Sequence, residues 1–131
     1  MSKADFAWLN FDTEFTVPNQ EATRTFVIDG EPMLATDSNS AVSAVGFILI
    51  QAEDVGNGST EPGDEITHRV LINGQHLPSF DMVAEDGWNL WMDRIPRGFL
   101  KKGVNTLTVR RRAVDRFRVA NITVQWREQT D

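Results

Sequence analysis

The sequence contains no cysteine. Disulfides, thiol nucleophiles, thiolate metal sites and iron–sulfur clusters are therefore excluded. A chain without cysteine suits a reducing compartment. Long hydrophobic runs are also missing. The longest, Val45 to Ile50, is interrupted by Gly46 and falls far short of the roughly 18 residues that signal a membrane span. Met1-Ser2-Lys3-Ala4-Asp5 is followed by no apolar stretch and no small-residue cleavage site. No export signal is read there, and a cytoplasmic location is expected, with release by lysis or a specialised machine as the alternative. Helical periodicity is absent as well: no window of about a dozen residues keeps a 3.6-residue apolar repeat. Cations are scarce early in the chain. Residues 1–93 carry 16 Asp/Glu and only 3 Lys/Arg, whereas residues 94–131 carry 3 and 10.

What remains is rich in β-forming material. The 131 residues fit the size of one domain spanning 1–131, and 40% are hydrophobic, with four Trp and eight Phe as bulky core fill. Short apolar runs separated by turn residues dominate, the signature of a sandwich or barrel. Ala4 to Val17 supplies one or two strands, and Pro18-Asn19-Gln20 a turn. Thr23 to Ile28 is a strand that stops at Asp29-Gly30. Val42 to Gln51 has apolar residues on both sides, which predicts a central strand. Glu53 to Glu65 reads as a loop. Ile66 to Ile72 and Gln75 to Leu77 flank Asn73-Gly74, a strong hairpin signal because both central residues of a type I′ turn need positive φ. Trp88 to Ile95 is a further strand. Pro96 to Lys102 is expected to make one helical turn, ended by Gly103. Val104 to Arg111 and Arg116 to Trp126 are the last two strands, expected to form a hairpin through Ala113-Val114-Asp115. The expected fold is all-β, a single jelly-roll-like antiparallel sandwich of about eight strands.

One stretch resembles a known pattern. Val70-Leu71-Ile72-Asn73-Gly74-Gln75, then Trp88 to Asp93, Ile95, Leu100 and Gly103-Val104-Asn105-Thr106-Leu107, resemble the galactose-binding-like jelly rolls. The accessory sugar-binding domain of family 2 glycoside hydrolases shows the same succession. Arg94, between Asp93 and Ile95, departs from it. The resemblance covers about a third of the chain. It implies the sandwich fold, and its members include carbohydrate-binding modules, enzyme accessory domains and structural domains. It carries over no ligand motif residue by residue. Locally, the Asn105 side chain is expected to satisfy backbone groups in the turn that Gly103 opens.

Catalysis is not expected. There is no Gly-x-Ser-x-Gly elbow and no His near a Ser/Asp pair. In the hairpin register, His68 shares a face with Val70, Ile72 and Leu77, while Arg69, Leu71 and His76 share the other. The two histidines then point apart and cannot form a two-His metal site. The paired carboxylates Glu85-Asp86 and Asp64-Glu65 read as solvated loop residues. The oxygens of Glu53, Asp54, Asn57, Glu61, Asp64 and Glu65 suit Ca²⁺, but their spacing does not match an EF-hand. A solvated loop without a cofactor is expected, with a structural Ca²⁺ as the alternative.

Two surfaces stand as binding candidates. Alternation from Trp88 to Met92 places Trp88, Leu90 and Met92 on the presumed core face and Trp91 with Asn89 on the outer one. Trp8 and Trp126 are expected in the core. Trp91, Asn89, His76 and Arg69 then form a sugar platform, an aromatic ring beside polar donors. The alternative is that a loop or subunit covers Trp91. At the end of the last two strands, Arg110, Arg112, Arg116 and Arg118 could grip an anionic partner. The competing reading pairs them with the acidic first half of the chain. Nucleic acid is not expected as a partner, because the chain is acidic and carries no known motif. The sequence thus points to a non-catalytic binding module, with carbohydrate or protein as partner. A structural protein that oligomerises or docks through its charge polarity is the alternative.

Overall fold

The computed structural model describes residues 2–32, 44–56, 68–77, 82–112 and 114–129. Nine strands occur among them: β1 (Ser2–Phe15), β2 (Glu21–Ile28), β3 (Glu31–Pro32), β4 (Ala44–Val55), β5 (His68–Ile72), β6 (Gln75–His76), β7 (Glu85–Pro96), β8 (Gly103–Arg111) and β9 (Phe117–Gln129). They form two antiparallel sheets packed as a sandwich. The five-stranded sheet runs β1-β9-β4-β7, with β3 added beside β9; the four-stranded sheet runs β2-β8-β5-β6. Glu53 and Asp54 of the expected solvated loop belong to β4, and most of the rest, with Asn57, Glu61, Asp64 and Glu65, lies outside the described residues.

The core lies between the sheets. Ile48, Ile50, Ala52, Ile122, Val124 and Ile95 come from one side, and Ile28, Val70, Ile72, Leu107 and Val109 from the other; all are essentially inaccessible. β9 is the spine of its sheet, pairing with β1 on one side and β4 on the other. Its apolar residues do not keep one phase: Phe117 and Val119 are buried, and so are Ile122, Val124 and Trp126. A register shift at Ala120, opposite Gln51/Ala52, turns both sets inward. Phe15 stacks on Phe117 at 4.7 Å between ring centres, and Trp126 meets Phe26 across the sandwich.

The expected hairpin forms. Asn73 (φ 51°) and Gly74 (φ 80°) make a two-residue turn, with Leu71 opposite His76, Ile72 opposite Gln75, and Ile72 and Leu77 buried. The turn is locked to the Gly103–Leu107 segment. Asn73 Nδ2 donates to the Phe99 carbonyl and to Asn105 Oδ1, both at 2.8 Å, while Asn73 Oδ1 accepts the Thr106 amide at 2.9 Å. Asn105, fully buried, donates from Nδ2 to the carbonyls of Lys101 and Gly103 and accepts the Lys101 amide. The two halves of the sequence pattern are therefore one hydrogen-bonded unit.

Several expectations fail, among them that of a loop at Glu85-Asp86, which are exposed residues at the start of β7. Residues 96–102 make turns rather than a helix, with Gly98 and Gly103 at positive φ. β8 and β9 are not a hairpin: they lie in different sheets, and the chain arches across the core edge between them. The phase of β7 is the reverse of that expected. Trp88, Leu90 and Met92 are exposed (47%, 63% and 66%), while Trp91 packs against the core. Alternation tells which residues share a face, not which face is inside. Pairing decides that: Trp91 opposes buried Ile50 on β4, and buried Ile95 continues the same face.

Candidate docking face

β1, β9, β4 and β7 align their outward residues in four rows. Phe6, Gln125, Phe47 and Arg94 form the first; Trp8, Thr123, Leu49 and Met92 the second. Asn10, Asn121, Gln51 and Leu90 form the third, and Glu14, Arg118, Glu53 and Trp88 the fourth. Phe6, Trp8, Leu90 and Met92 each keep more than half their surface in solvent, and Phe47 and Trp88 more than two fifths. Trp8 is thus on the surface and not in the core, as β1 turns Leu9, Phe11 and Phe15 inward. Scattered exposed apolar residues are ordinary, whereas six large ones on one sheet face are more than such scatter.

Every row carries polar groups, and β9 supplies only polar ones to the face, Gln125, Thr123, Asn121 and Arg118, between the apolar residues of β1 and those of β4 and β7. Asn121 Nδ2 donates to Gln51 Oε1 at 2.9 Å. Arg118 is hydrogen-bonded to Asp12, which raises its pKa, with Glu14 and Glu53 adding to the effect. Beyond this row a shallow cleft of about 190 Å³ is lined by Glu14, Glu53, Asp54, Arg116, Phe117 and Arg118. That is below the ~300 Å³ at which small-molecule pockets begin, and its lining is charged rather than apolar.

The residues read from the sequence as a sugar platform are not brought together. Arg69 and His76 lie on the outer face of the four-stranded sheet, joined at 2.9 Å through Nη1 and Nδ1. Asn89 and Trp91 occupy the inner phase of β7 in the other sheet. The arginines disperse too. Arg110 Nε donates to Glu21 Oε1 at 2.5 Å on the four-stranded sheet, and Arg118 pairs with Asp12 on the opposite sheet. Arg112 reaches Asn19 Oδ1 at 3.3 Å, and Arg116 is exposed beside the cleft. Strands β1 and β2, from the acidic part of the chain, therefore lie against β9 and β8 from the basic part.

One pair was hidden in the sequence because 47 residues separate its members. His68, fully buried, donates from Nε2 to Asp115 Oδ2 at 2.9 Å, and the same oxygen accepts the Gly56 amide at 2.6 Å. The His68 ring stands edge-on to Phe117 at 4.8 Å. Arg111 Nε donates to the Asp115 carbonyl. Burial pushes the Asp115 carboxyl up, and the hydrogen bonds from His68 and the Gly56 amide outweigh it, so its pKa falls below the ordinary value. The pair ties the β8–β9 arch to the start of β5 and the end of β4. It is a latch within the fold, on the opposite side of β9 from the exposed face.

No curated protein matches this sequence. Among solved structures, the dimeric latent form of PorU from Porphyromonas gingivalis is similar, at 9% identity and a TM-score of 0.58. The match covers 98% of this chain but only 13% of that one, so the likeness lies in the fold of one portion of PorU. The family model that matches residues 4–128 spans all nine strands nearly end to end, and the chain belongs to that family, a family of unknown function designated DUF7383.

Proposed function

We propose that this protein is a non-catalytic assembly module that docks on a protein partner through the outer face of its five-stranded sheet. The observation that carries the reading is the shared exposure of Phe6, Trp8, Phe47, Trp88, Leu90 and Met92 on one face. Aromatic and Met side chains with Arg at the margin are the composition enriched in protein interfaces. Leaving that much apolar surface in water costs free energy, at about 25 cal/mol per Å², that a partner would recover.

A carbohydrate reading keeps one specific support. Trp8 and Trp88 stand on opposite edges of the face, with the amides of Asn10, Asn121 and Gln51 between them. Indole rings flanking amides can stack on a sugar ring and bond its hydroxyls. A galactose-binding-like ancestry would fit this reading, with Trp8 and Trp88 in the role first assigned to Trp91. The aliphatic Leu49, Leu90 and Met92 fit a protein partner better than a glycan.

Solution mass of the wild type and Leu90→Glu, alone and mixed with products of adjacent genes, separates the two, alongside a glycan array. Docking predicts a mass above the monomer that Leu90→Glu lowers, and a blank array. Saturable glycan binding that Trp88→Ala abolishes decides for carbohydrate. Monomers in every mixture with a blank array reject both.

A further inference from the structure

We infer that the partner on this face is a second copy of the same chain, stacked face to face about a two-fold axis that runs along the strands between β9 and β4. The inference rests on the docking role of the face and adds its occupant and geometry. Such an axis lays β1 of one copy over β7 of the other, and β9 over β4, row upon row.

The rows are complementary under that operation. In the second row, Trp8 meets Met92, and Thr123 meets Leu49; a thioether against an indole is a favourable contact. In the first, Arg94 is carried over the Phe6 ring, a cation–π arrangement. In the third, Leu90 meets Asn10 and the Gln51 amide meets that of Asn121. In the fourth, Arg118 meets Glu53, so opposite charges face each other twice, while Glu14 meets Trp88. Turning the axis across the strands instead would set Phe6 on Glu14 and Phe47 on Glu53. Two carboxylates per copy would then lie against rings, where the first arrangement has one, and Arg118 would face Gln125 instead of Glu53 of the other copy.

Size agrees. Four strands about 4.8 Å apart and rows spanning about 20 Å, with side chains overhanging the edges, give a face on the order of 700 Å². A standard stable interface covers roughly 800 Å² per partner. Sheets stack about 10 Å apart, which large side chains from two such faces can fill.

The test is the mass of the full chain alone, by sedimentation equilibrium from about 1 to 200 μM, for the wild type, Trp8→Glu, Met92→Arg and the double variant. Trp8 and Met92 lie about 15 Å apart within one copy, three strand spacings, so they cannot pair internally. The wild type should dimerise. Each single variant should weaken the dimer at least tenfold, and the double variant should regain most of the loss through a Glu–Arg contact between copies. A wild type that stays monomeric overturns the inference, even if the face binds another protein or a glycan. A dimer that the single variants leave intact, or that the double variant fails to restore, overturns the geometry and with it the proposal. Melting temperature, measured for all four at a concentration low enough for each to be monomeric, should stay within a few degrees because both side chains are exposed in the single chain.

Discussion

Two residues carry much of the local specification, Gly74 and Asp115. Gly74 holds φ at 80° at the tip of the hairpin, with no neighbour near its absent side chain. Space is therefore available for a side chain, and only backbone strain opposes one. Gly74→Val forces a β-branched residue into that region and should destabilise the fold by about 1–3 kcal/mol; chemical denaturation of the two proteins checks it. Asp115 sits where three segments meet. Its Oδ2 is doubly bonded, whereas among the described residues its buried Oδ1 has no hydrogen-bond partner. Its folded pKa lies below the usual 3.8. A lowered carboxyl adds stability above its unfolded pKa and loses it as pH falls through the folded value. Asp115→Asn should therefore cost about 1–3 kcal/mol near neutral pH. The gap to wild type should narrow below pH ~4 as the native carboxylate protonates. Melting temperatures from pH 7 down to 3 check the trend, and a constant gap would contradict it.

At the scale of elements, β7 shows how a single strand can mislead. Its residues 88–95 read apolar on both phases, with Trp88, Leu90 and Met92 against Trp91 and Ile95. Three apolar residues in one phase pointed to the core by weight of numbers. Inside the sandwich, however, Trp91 and Ile95 already fill the inner side opposite Ile50 and Gly46. The strand offers a direct measurement of this inversion. Ile95→Ala should cost about 2–5 kcal/mol, because it empties a fully buried site. Leu90→Ala, five residues away on the opposite face of the strand, should cost about 0.5 kcal/mol or less. Equal losses would restore the opposite phase. Gly46 completes the same region: a side chain there would meet the Gln125 carbonyl oxygen at 2.1 Å, so β4 and β9 can approach only over a glycine.

For the molecule as a whole, the uneven charge of the sequence resolves into cross-strand pairing. β1 and β2, from the acidic part, lie against β9 and β8 from the basic part, and Glu21–Arg110 and Asp12–Arg118 join them. Both pairs are partly exposed, so each contributes little. Arg110→Ala should lower stability by about 1 kcal/mol at most, and 0.5 M salt should shrink even that difference. What the sequence by itself determined is what local chemistry encodes. Turn residues set the strand breaks and hence the all-β sandwich. Asn73-Gly74 set the hairpin register, and with it the burial of Ile72 and Leu77 and the opposed histidines. Gly103-Val104-Asn105 set the turn that the Asn105 side chain holds. The missing cysteines and apolar runs removed whole classes of chemistry. Only the tertiary structure decided the rest, because each remaining question turns on contacts between distant residues. Alternation is symmetric, so the inner face of β7 waits on its pairing with β4, and Trp8 and Trp88 became surface while Trp91 did not. A strand pattern carries no sheet assignment, so β8 and β9 parted into different layers and scattered the arginines. His68 found Asp115 across 47 residues through the arch that this separation created. The exposed face exists for the same reason: it is the sum of four strands, from opposite ends of the chain, whose outward residues meet only once the sheet is assembled.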